Sequence, residues 1–328
     1  MRAPSWLLLV AVAACGGPDR SGRAPDHKCD DAPPETRAEW RHRVRATLAG
    51  SPRHVVSDPI VRAGSDADVT VKLAYGKLNK DLEDEAVSIW VRRAACKWQR
   101  AGEAVTDDDG RARVTIPAAL VSPPGVYELR AVVRGDLSAA AGAVYALAPG
   151  TAVVVFDVDG TLTTGDSELI EDLAGDGAPD VRAGAPEVAR RYAAAGYLPV
   201  YVTGRPYTLR ARTVRWLDAH QFPRGPLIVT DRLRDSLPAG SSVGAFKSGA
   251  LRRLTTGAGA TIAAAYGNAA TDVCAYAALE PAPTSAFIIG GTPPRCGDAP
   301  ALTAIDSYVD HAKTLAIEPA TVPAPPRL

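Results

Sequence analysis

Two different hydrophobic periods divide the chain into an N-terminal and a C-terminal half. Between residues 55 and 148, apolar side chains alternate with polar ones in short runs separated by turn residues. An alternation with a period of two places one face of a strand in a core and the other in solvent. Short strands at this spacing predict an immunoglobulin-like β-sandwich. The predicted runs are 69–75, 87–91, 112–116 and 127–133.

An acidic cluster, Asp107 to Asp109 followed by Gly110, separates two of these runs. Asp-Gly is a strong hairpin signal, because glycine tolerates the backbone that a tight hairpin turn requires. The segment therefore predicts a solvated hairpin tip, with a calcium site as the alternative interpretation.

After Pro149 and Gly150 the pattern changes to continuous apolar runs that alternate with amphipathic segments. Residues 152–156 are apolar throughout, as a parallel strand buried on both faces requires. Alternating strands and helices predict a doubly wound, Rossmann-like α/β domain over residues 149–317. Its further predicted strands are 198–202, 227–229, 262–266 and 287–289, and its helices are 186–195, 207–220, 247–254 and 271–278.

The first 15 residues have the pattern of an export signal. Arg2 precedes a short apolar run, and small residues precede Cys15. The run is too short to span a bilayer, so it predicts a signal peptide. Together with Gly16, the segment resembles a bacterial lipoprotein cleavage box, which implies acylation of Cys15 and an exported, membrane-anchored protein. An ordinary signal peptide with a chance cysteine is the alternative.

Polar, proline-rich segments flank the two predicted domains. Residues 16–54 predict a tether, and residues 318–328 predict a disordered tail. With Cys15 assigned to lipid, four cysteines remain, and they permit three disulfide pairings. Cys274 and Cys296 both fall in the second domain, which favours pairing them with each other; the other two are Cys29 and Cys96.

The composition is that of a soluble globular protein with room for two domains. The 328 residues are 46% hydrophobic and 23% charged, and 37 Lys and Arg balance 37 Asp and Glu. A net charge of zero gives no reason to expect nucleic acid as a partner.

Polar residues that suit phosphate and metal chemistry occur in four segments of the second half. In a doubly wound sheet, ligands bind where the carboxyl ends of the strands meet the following loops. Paired carboxylates after a buried strand repel one another unless a cation lies between them. The segments are Asp157-Val158-Asp159-Gly160-Thr161, Thr203-Gly204-Arg205, Lys247, and Gly267-Asn268 through Asp272.

In this order the four segments resemble the motifs of the haloacid-dehalogenase superfamily: DxDGT, a strand-end Ser or Thr, a Lys, and GNxxxD. The resemblance implies a phosphohydrolase in which Asp157 attacks phosphorus and forms an aspartyl-phosphate. Asp159 acts as the general acid and base. Thr203, Gly204 and Lys247 bind the phosphoryl oxygens.

The same resemblance implies a Mg²⁺ cofactor. Its ligands are the carboxylates of Asp157 and Asp272 and the main-chain carbonyl of Asp159. Asn268 supports the metal site. Arg205 and Asp166 are also candidate supporting residues, and the alternative for both is a simple orienting or capping role.

A narrower resemblance covers residues 123–276. Residues 157–163, together with Asp166, and residues 267–276 resemble lipin-type phosphatidate phosphatases. Other segments are similar to the C-terminal domain of the Nir/retinal-degeneration-B phosphatidylinositol-transfer proteins. These are Gly125-Val126-Tyr127, Val133–Asp136, Pro149-Gly150-Thr151, Val181–Ala185, Tyr201–Pro206 and Phe222-Pro223-Arg224-Gly225.

This resemblance implies phosphatidate or a related phospholipid as substrate, with the head group at a membrane surface as the partner. Members that only bind phosphatidate have lost the nucleophile, whereas this sequence retains Asp157 and Asp159, which favours an enzyme. The sequence departs from lipins at Thr203-Gly204-Arg205, where that family favours Ser-Ala-Arg. Two alternatives are a phosphatase for soluble phosphomonoesters and a non-catalytic phosphatidate sensor whose β-sandwich contacts a protein partner.

Overall fold

The computed structural model describes residues 32–41, 50–93, 96–165, 179–230, 241–291, 296 and 302–327. All of them belong to one compact unit, Ala32–Leu328. The predicted signal peptide with Cys15, most of the predicted tether, Cys29 and Asp166 lie outside the described residues.

The first half of the described chain forms two facing β-sheets. One sheet has the strand order β1-β3-β8 and the other β2-β10-β9-β6-β7, and β4 pairs with β5 in a small hairpin. The strands are β1 Val55–Val56, β2 Ile60–Arg62, β3 Ala67–Lys72, β4 Ala74–Tyr75, β5 Lys80–Asp81, β6 Ala86–Arg93, β7 Lys97–Val105, β8 Arg111–Ile116, β9 Gly125–Val133 and β10 Ala139–Leu147.

The predicted alternation is confirmed by the core of this sandwich. Alternate residues of the four predicted runs are fully or nearly fully buried in one hydrophobic cluster between the two sheets. The period of two therefore identified the inward-facing side chains, which are Val69, Val71, Leu73, Val87, Ile89, Val91, Ala112, Val114, Ile116, Tyr127, Leu129, Ala131 and Val133.

The prediction of a hairpin at Asp109-Gly110 is wrong, although the segment does form a turn. The strand before it, β7, belongs to the five-stranded sheet, and the strand after it, β8, pairs with β3 in the other sheet. Asp107 Oδ1 accepts hydrogen bonds from the amides of Asp109 and Arg111. Gly110 has a φ of +64°, and its carbonyl accepts from Leu73 N. The turn thus connects the two sheets instead of two paired strands.

The second half contains a parallel sheet of six strands within the described residues, in the order β13-β12-β11-β14-β15-β16. Each neighbouring pair runs parallel. The central strand is buried on both faces: Val153 and Val155 belong to one hydrophobic cluster, and Val154 and Phe156 to another. The strands are β11 Ala152–Asp157, β12 Leu198–Pro206, β13 Leu227–Thr230, β14 Thr261–Gly267, β15 Ser285–Ile289 and β16 Leu302–Ile305.

Helices cover both faces of this sheet, so the described chain is a mixed α/β structure with a β-sandwich region and a parallel sheet. The helices are α1 Ala185–Ala194, α2 Arg210–Ala219, α3 Ser241–Arg252, α4 Ala270–Ala277 and α5 Tyr308–Thr314. Residues of α3 and α4 contribute to the cluster around Val153, and residues of α1, α2 and α5 to that around Phe156. Strand β16 and helix α5 were not predicted, because both are short and neither stands out from its polar surroundings.

The prediction of a disordered C-terminal tail is wrong for the described residues up to 327. Ala152 N donates to Val322 O at 2.8 Å, and Val126 N donates to Pro326 O at 2.8 Å. The tail therefore runs from the parallel sheet to the sandwich. Its described residues form no helix, and main-chain hydrogen bonds to both regions hold them in place.

The described part of the predicted tether, residues 32–41, also packs on the sandwich. Trp40 lies against the sandwich core, over Gly135, where an added Cβ would lie 2.2 Å from the indole ring. Trp90 Nε1 donates to Glu35 at 2.9 Å. This segment is consequently part of the folded unit and is not a free tether.

Cys274 and Cys296 form a disulfide, with their Cα atoms 5.2 Å apart, which confirms the favoured pairing. Cys96 is also disulfide-bonded. Among the described residues, we find no helix with the length and apolar composition needed to cross a membrane.

Candidate active site

Three neighbouring strands bring the predicted site residues to one edge of the parallel sheet. Asp157 is the last residue of β11, and Gly267 is the last residue of β14. Thr203 and Arg205 lie near the C-terminal end of β12. Because β11 lies between β12 and β14, the carboxyl ends of all three strands meet at this edge. Gly204 lies between Thr203 and Arg205 in the same strand end.

A buried lysine joins two acidic side chains that are far apart in the sequence. Lys247 Nζ lies 2.6 Å from Asp157 Oδ1 and 2.6 Å from Asp272 Oδ1. All three side chains are almost completely buried. Lys247 reaches them from the middle of α3, and not from the head of a helix as the sequence predicts. Its long side chain extends from a packed helix to the strand ends.

This cluster carries an unbalanced negative charge in a buried setting. Two carboxylates face one ammonium group, so the three side chains sum to one negative charge when all are ionised. Burial and the neighbouring Asp272 raise the pKa of Asp157 to about 8, although Lys247 opposes this shift. Burial alone would lower the pKa of Lys247, but the two carboxylates raise it above its ordinary value. The ionised form of Asp157 would be favoured by an added cation.

A second ion pair lies beside the first. Arg205 Nε is 2.7 Å from Asp159 Oδ1, and Thr203 donates its hydroxyl hydrogen to Asp159 Oδ2 at 2.6 Å. Arg205 is fully buried and also donates to Thr213 Oγ1 of α2 at 3.2 Å. Asp159 is therefore oriented by two groups from β12. Arg205, which the sequence identifies only as a supporting residue, has a specific contact with the proposed general acid.

Thr161 is a site residue to which sequence reasoning assigned no role. It is fully buried, and its hydroxyl lies 2.8 Å from Asp157 Oδ2 and 3.1 Å from Asn268 Oδ1. It therefore connects the β11 loop to the β14 loop. The DxDGT segment contains this threonine, so its place in the motif was the available signal.

Arg182 is a second residue that was missed. Its Nε donates to Gly160 O at 2.9 Å and so holds the loop between Asp159 and Thr161. Gly160 itself has a φ of +70° and donates its amide hydrogen to Thr163 Oγ1 at 2.9 Å. Residue 182 lies in a segment used only for the family resemblance, and no local pattern marks it.

The position of Asp272 depends on a close approach between α4 and β14. Asp272 Oδ2 accepts hydrogen bonds from the amides of Asn268 and Ala269, both at 3.1 Å. These two amides lie at the N-cap and just before it, and Asp272 accepts from them out of the first turn of α4, where a carboxylate is favoured. A Cβ on Gly267 would lie 2.4 Å from Asp272 Cβ, so only glycine leaves room for the aspartate. The GNxxxD segment is thus required as a unit.

The carboxylate oxygens at this site are donors that suit a hard divalent cation, but there are too few of them without a main-chain carbonyl. Among the described residues, no three His, Cys, Asp or Glu side chains are close enough to hold a metal ion. Asp157 and Asp272 supply carboxylate oxygens and excess negative charge, which Mg²⁺ requires. The Asp159 carboxylate is engaged by Arg205, so from this residue only the main-chain carbonyl is a candidate ligand.

The two regions match models of two domains from one family of proteins. Residues 52–145 match the model described as the PITM 1-3 beta-sandwich domain, and residues 154–290 match the PITM 1-3 LNS2 domain. Solved structures give only weak likenesses. A Dunaliella salina GPDH structure, with 20% identity, covers 49% of this chain and 28% of its own, with a TM-score of 0.33.

Curated relatives come from animals. Human membrane-associated phosphatidylinositol transfer protein 1 is 34% identical over 265 residues, covering 79% of this chain and 20% of that protein. Drosophila melanogaster protein retinal degeneration B is 32% identical over 263 residues, with 79% and 20% covered. Human membrane-associated phosphatidylinositol transfer protein 3 is 31% identical over 265 residues, with 79% and 26% covered. The chain thus spans about a fifth to a quarter of the length of these relatives.

These relatives overturn the predicted localisation. They are animal proteins, most of them named as membrane-associated, and the prediction of an exported bacterial lipoprotein acylated at Cys15 is therefore wrong. The membrane-associated and lipid-related character of the relatives agrees with the broader prediction of a lipid partner. Over residues 52–145 and 154–290, the chain is therefore similar in sequence to the PITM 1-3 beta-sandwich and LNS2 domains, and over 265 residues to human membrane-associated phosphatidylinositol transfer protein 1.

Proposed function

We propose that the chain is a Mg²⁺-dependent phosphohydrolase that cleaves a phosphomonoester, with phosphatidate or a related phospholipid as its substrate. The observation that carries the proposal is the contact of Lys247 Nζ with both Asp157 and Asp272, at 2.6 Å each. Ninety and 25 positions separate these partners along the chain, and the fold nevertheless gathers them at one sheet edge. The proposal takes residues 55–148 as an immunoglobulin-like sandwich and 149–317 as a haloacid-dehalogenase-like domain.

Asp157 is the nucleophile in this proposal. Its carboxylate forms a bond to phosphorus while the bond from phosphorus to the alcohol oxygen breaks, which leaves an aspartyl-phosphate. Water then attacks this phosphorus, breaks its bond to Asp157 and releases inorganic phosphate. Lys247 holds the nucleophile in place and offsets charge on the phosphoryl oxygens, a task shared with Thr203 and the Gly204 backbone.

Asp159 is the proton donor and acceptor. It gives a proton to the departing alcohol oxygen and later takes one from the attacking water. Its side chain is 19% exposed, against 3% for Asp157 and 1% for Asp272, so of the three it is the one that a leaving group can approach from solvent. Arg205 and Thr203 aim it by holding both carboxylate oxygens.

The unbalanced charge around Asp157 supports a Mg²⁺ requirement. Asp157, Asp272 and the main-chain carbonyl of Asp159 would hold the ion, with Asn268 in support. Once bound, Mg²⁺ neutralises the nucleophile's charge and stabilises the phosphoryl oxygens. Among the described residues, Lys247 is the one cation in the cluster that it forms with Asp157 and Asp272, and it balances only one of the two carboxylates.

Two features support a phospholipid substrate. The relatives are named as phosphatidylinositol transfer proteins, and their LNS2 domain model matches the region that contains the site. Phosphatidate carries a phosphomonoester, which is the group that the proposed chemistry cleaves. A non-catalytic phosphatidate-binding role, with the sandwich contacting a protein partner, is the second candidate, and the naming of human relatives as transfer proteins favours it.

Phosphate release from vesicles separates these functions. Purified full-length protein is assayed with Mg²⁺ on phosphatidylcholine vesicles containing phosphatidate, and separately on a soluble aryl phosphate. We expect release from phosphatidate that stops in EDTA and resumes with added Mg²⁺. A preference for the aryl phosphate would indicate a soluble substrate. Vesicle binding without any release would leave only the binding role.

The pKa of Asp157 predicts that Mg²⁺ affinity depends on pH. With a pKa of about 8, Asp157 is largely protonated at neutral pH in the absence of a cation. Mg²⁺ binding must displace that proton, so the apparent affinity should rise by up to about tenfold per pH unit between about pH 6 and 8, then level off. Titration calorimetry in two buffers of different ionisation heat measures both the affinity and the protons released. A constant affinity across this range would contradict the assignment of Asp157 as a ligand.

A further inference from the structure

A cavity of about 410 Å³ lies between the sandwich and the parallel-sheet region. The sandwich contributes residues of β9 and β10, and the other side comes from β12, α2 and the segment before β13. None of the residues around Asp157 lines it. A cavity of this size at a domain interface is within the range that small organic ligands occupy.

The charges around this cavity do not balance. Five guanidinium groups line it against three carboxylates, which are Asp58, Glu128 and Asp218. The walls therefore carry two excess positive charges in a partly enclosed space, where charges interact more strongly than in bulk water. The arginines are Arg92, Arg130, Arg210, Arg224 and Arg327.

Two of the arginines are satisfied by the protein itself. Arg92 and Arg130 both pair with Glu128, and both lie over the Trp98 ring at 5.7 Å from its centre. Two cations on one carboxylate and one aromatic face form a rigid wall. These residues shape the cavity more than they offer free hydrogen-bond donors.

Arg210 is buried but incompletely bonded. One nitrogen of its guanidinium pairs with Asp58, whose carboxylate also accepts from Ala143 N at 3.0 Å and Leu227 N at 3.2 Å. The Arg210 side chain is only 10% exposed, and its Nε has no hydrogen-bond partner among the described residues. Buried donors are normally paired, so this guanidinium has capacity for a further acceptor.

Arg224 and Arg327 are the lining arginines that the protein engages most weakly. Arg224 is 65% exposed and lies 3.6 Å from Asp218, a loose contact that contributes little. Arg327 has no carboxylate partner in the described part of the chain and interacts with the Tyr145 hydroxyl. Both can therefore turn toward an anion in the cavity at little cost.

The segment Phe222 to Gly225 holds Arg224 at a fixed place. Tyr201 donates its hydroxyl hydrogen to Pro223 O at 2.7 Å, and Phe222 stacks on Trp216 at 5.5 Å. A Cβ on Gly225 would lie 1.8 Å from Pro199 O, so the segment packs directly on β12. This segment is one that the family resemblance singled out and that the proposed phosphatase chemistry does not use.

We propose that this cavity binds a small, soluble organic anion with two negative charges, such as a phosphomonoester or phosphonate on an aromatic or apolar body. Arg210, Arg224 and Arg327 bind the charged group, since phosphate oxygens match the guanidinium fork. Tyr145, Tyr201 and Phe222 face the apolar body. The site is separate from the one around Asp157 and does not depend on the function proposed for it.

Calorimetric titration with benzylphosphonate tests the proposal. Full-length protein is titrated in EDTA, together with the variants Asp157→Asn, Arg224→Met/Arg327→Met and, as a matched control, Arg215→Met. Arg215 is an exposed arginine of α2 that does not line the cavity. We expect the wild-type protein, Asp157→Asn and Arg215→Met to bind alike. The double arginine variant should bind at least about tenfold more weakly, because it loses two charge-assisted contacts.

Two results would overturn the proposal. One is benzylphosphonate binding that is unchanged in Arg224→Met/Arg327→Met, and the other is no binding by the wild-type protein up to about 10 mM, the range of the weakest specific ligands. Phosphate release from phosphatidate vesicles is measured on the same variants. It should be retained in the double arginine variant and lost in Asp157→Asn, so failure of the cavity and failure of the proposed active site are distinguished.

Discussion

Asp157→Asn is expected to abolish phosphate release and leave the fold intact. The amide is nearly the same size as the carboxylate but cannot form the aspartyl-phosphate, so the rate should fall by at least about 10³-fold. At neutral pH the amide also resembles the protonated carboxyl group that the raised pKa of Asp157 favours, so the substitution leaves no buried charge without a partner beside Lys247. The free energy of unfolding should therefore not decrease, which separates a chemical loss from misfolding.

Phosphate release and urea unfolding are measured on the same Asp157→Asn preparation. Asp306→Asn serves as the control, since this exposed acid lies outside the site. Acid quenching during turnover of the wild-type protein, followed by mass spectrometry, should find phosphate on the peptide that contains Asp157. If Asp157→Asn kept about a tenth or more of the wild-type rate, Asp157 would not be the nucleophile.

Lys247→Met is expected to destabilise the protein strongly. Its ammonium is the shared partner of Asp157 and Asp272, and both carboxylates are buried. Removing one member of a buried ionic cluster leaves uncompensated charge, which costs about 3–5 kcal/mol in free energy of unfolding. Phosphate release should be lost as well, because the proposed phosphoryl contact disappears.

Urea unfolding of Lys247→Met is compared with that of Lys77→Met, which alters an exposed lysine of the β4–β5 turn and should change stability by less than about 0.5 kcal/mol. Adding Asp272→Asn to Lys247→Met should recover part of the loss, since it removes the buried Asp272 carboxylate that the first substitution leaves without a cation. A decrease below about 1 kcal/mol for Lys247→Met would mean that the cluster is open to water and does not act as a buried unit.

Asp157 and Asp159 are two positions apart in the sequence, but the fold gives them different cationic partners. Asp159 is held by Arg205 and Thr203, whereas Asp157 shares Lys247 with Asp272. This separation leaves the unbalanced carboxylate charge at Asp157 and Asp272 and pairs the Asp159 carboxylate with its own arginine. A single added cation can then act on the Asp157 carboxylate while the Asp159 carboxylate stays paired with Arg205.

The β-sandwich is joined to the parallel sheet by more than the chain connection. Val126, Tyr145 and Leu147 of the sandwich share a hydrophobic cluster with Val153 and Val155 of β11. The Asp58–Arg210 ion pair and the C-terminal segment up to Arg327 add polar links. We infer that the two regions fold as one unit, and that the residues between them are positioned well enough to form a ligand cavity.

The sequence alone determined which residues form the main strands and where the candidate site segments lie, because hydrophobic periodicity and strand-end motifs are local signals. The alternation of apolar residues identified the inward faces of the sandwich strands, and the continuous run before Asp157 identified the central parallel strand. Since parallel strands end at a common edge, the DxDGT, TGR and GNxxxD segments had to lie near one another once those strands were recognised. The approach of Lys247 to them was expected from the family resemblance alone.

Only the tertiary structure decided the features that depend on contacts between distant segments. These include the pairing of Asp159 with Arg205, the connection of two sheets at Asp109-Gly110, and the attachment of the C-terminal tail. A local pattern specifies which face of an element is apolar, but not which other element covers it or which of several cations a carboxylate meets. The cavity between the sandwich and the parallel sheet is of the same kind, because its arginines come from both regions and are assembled only by packing.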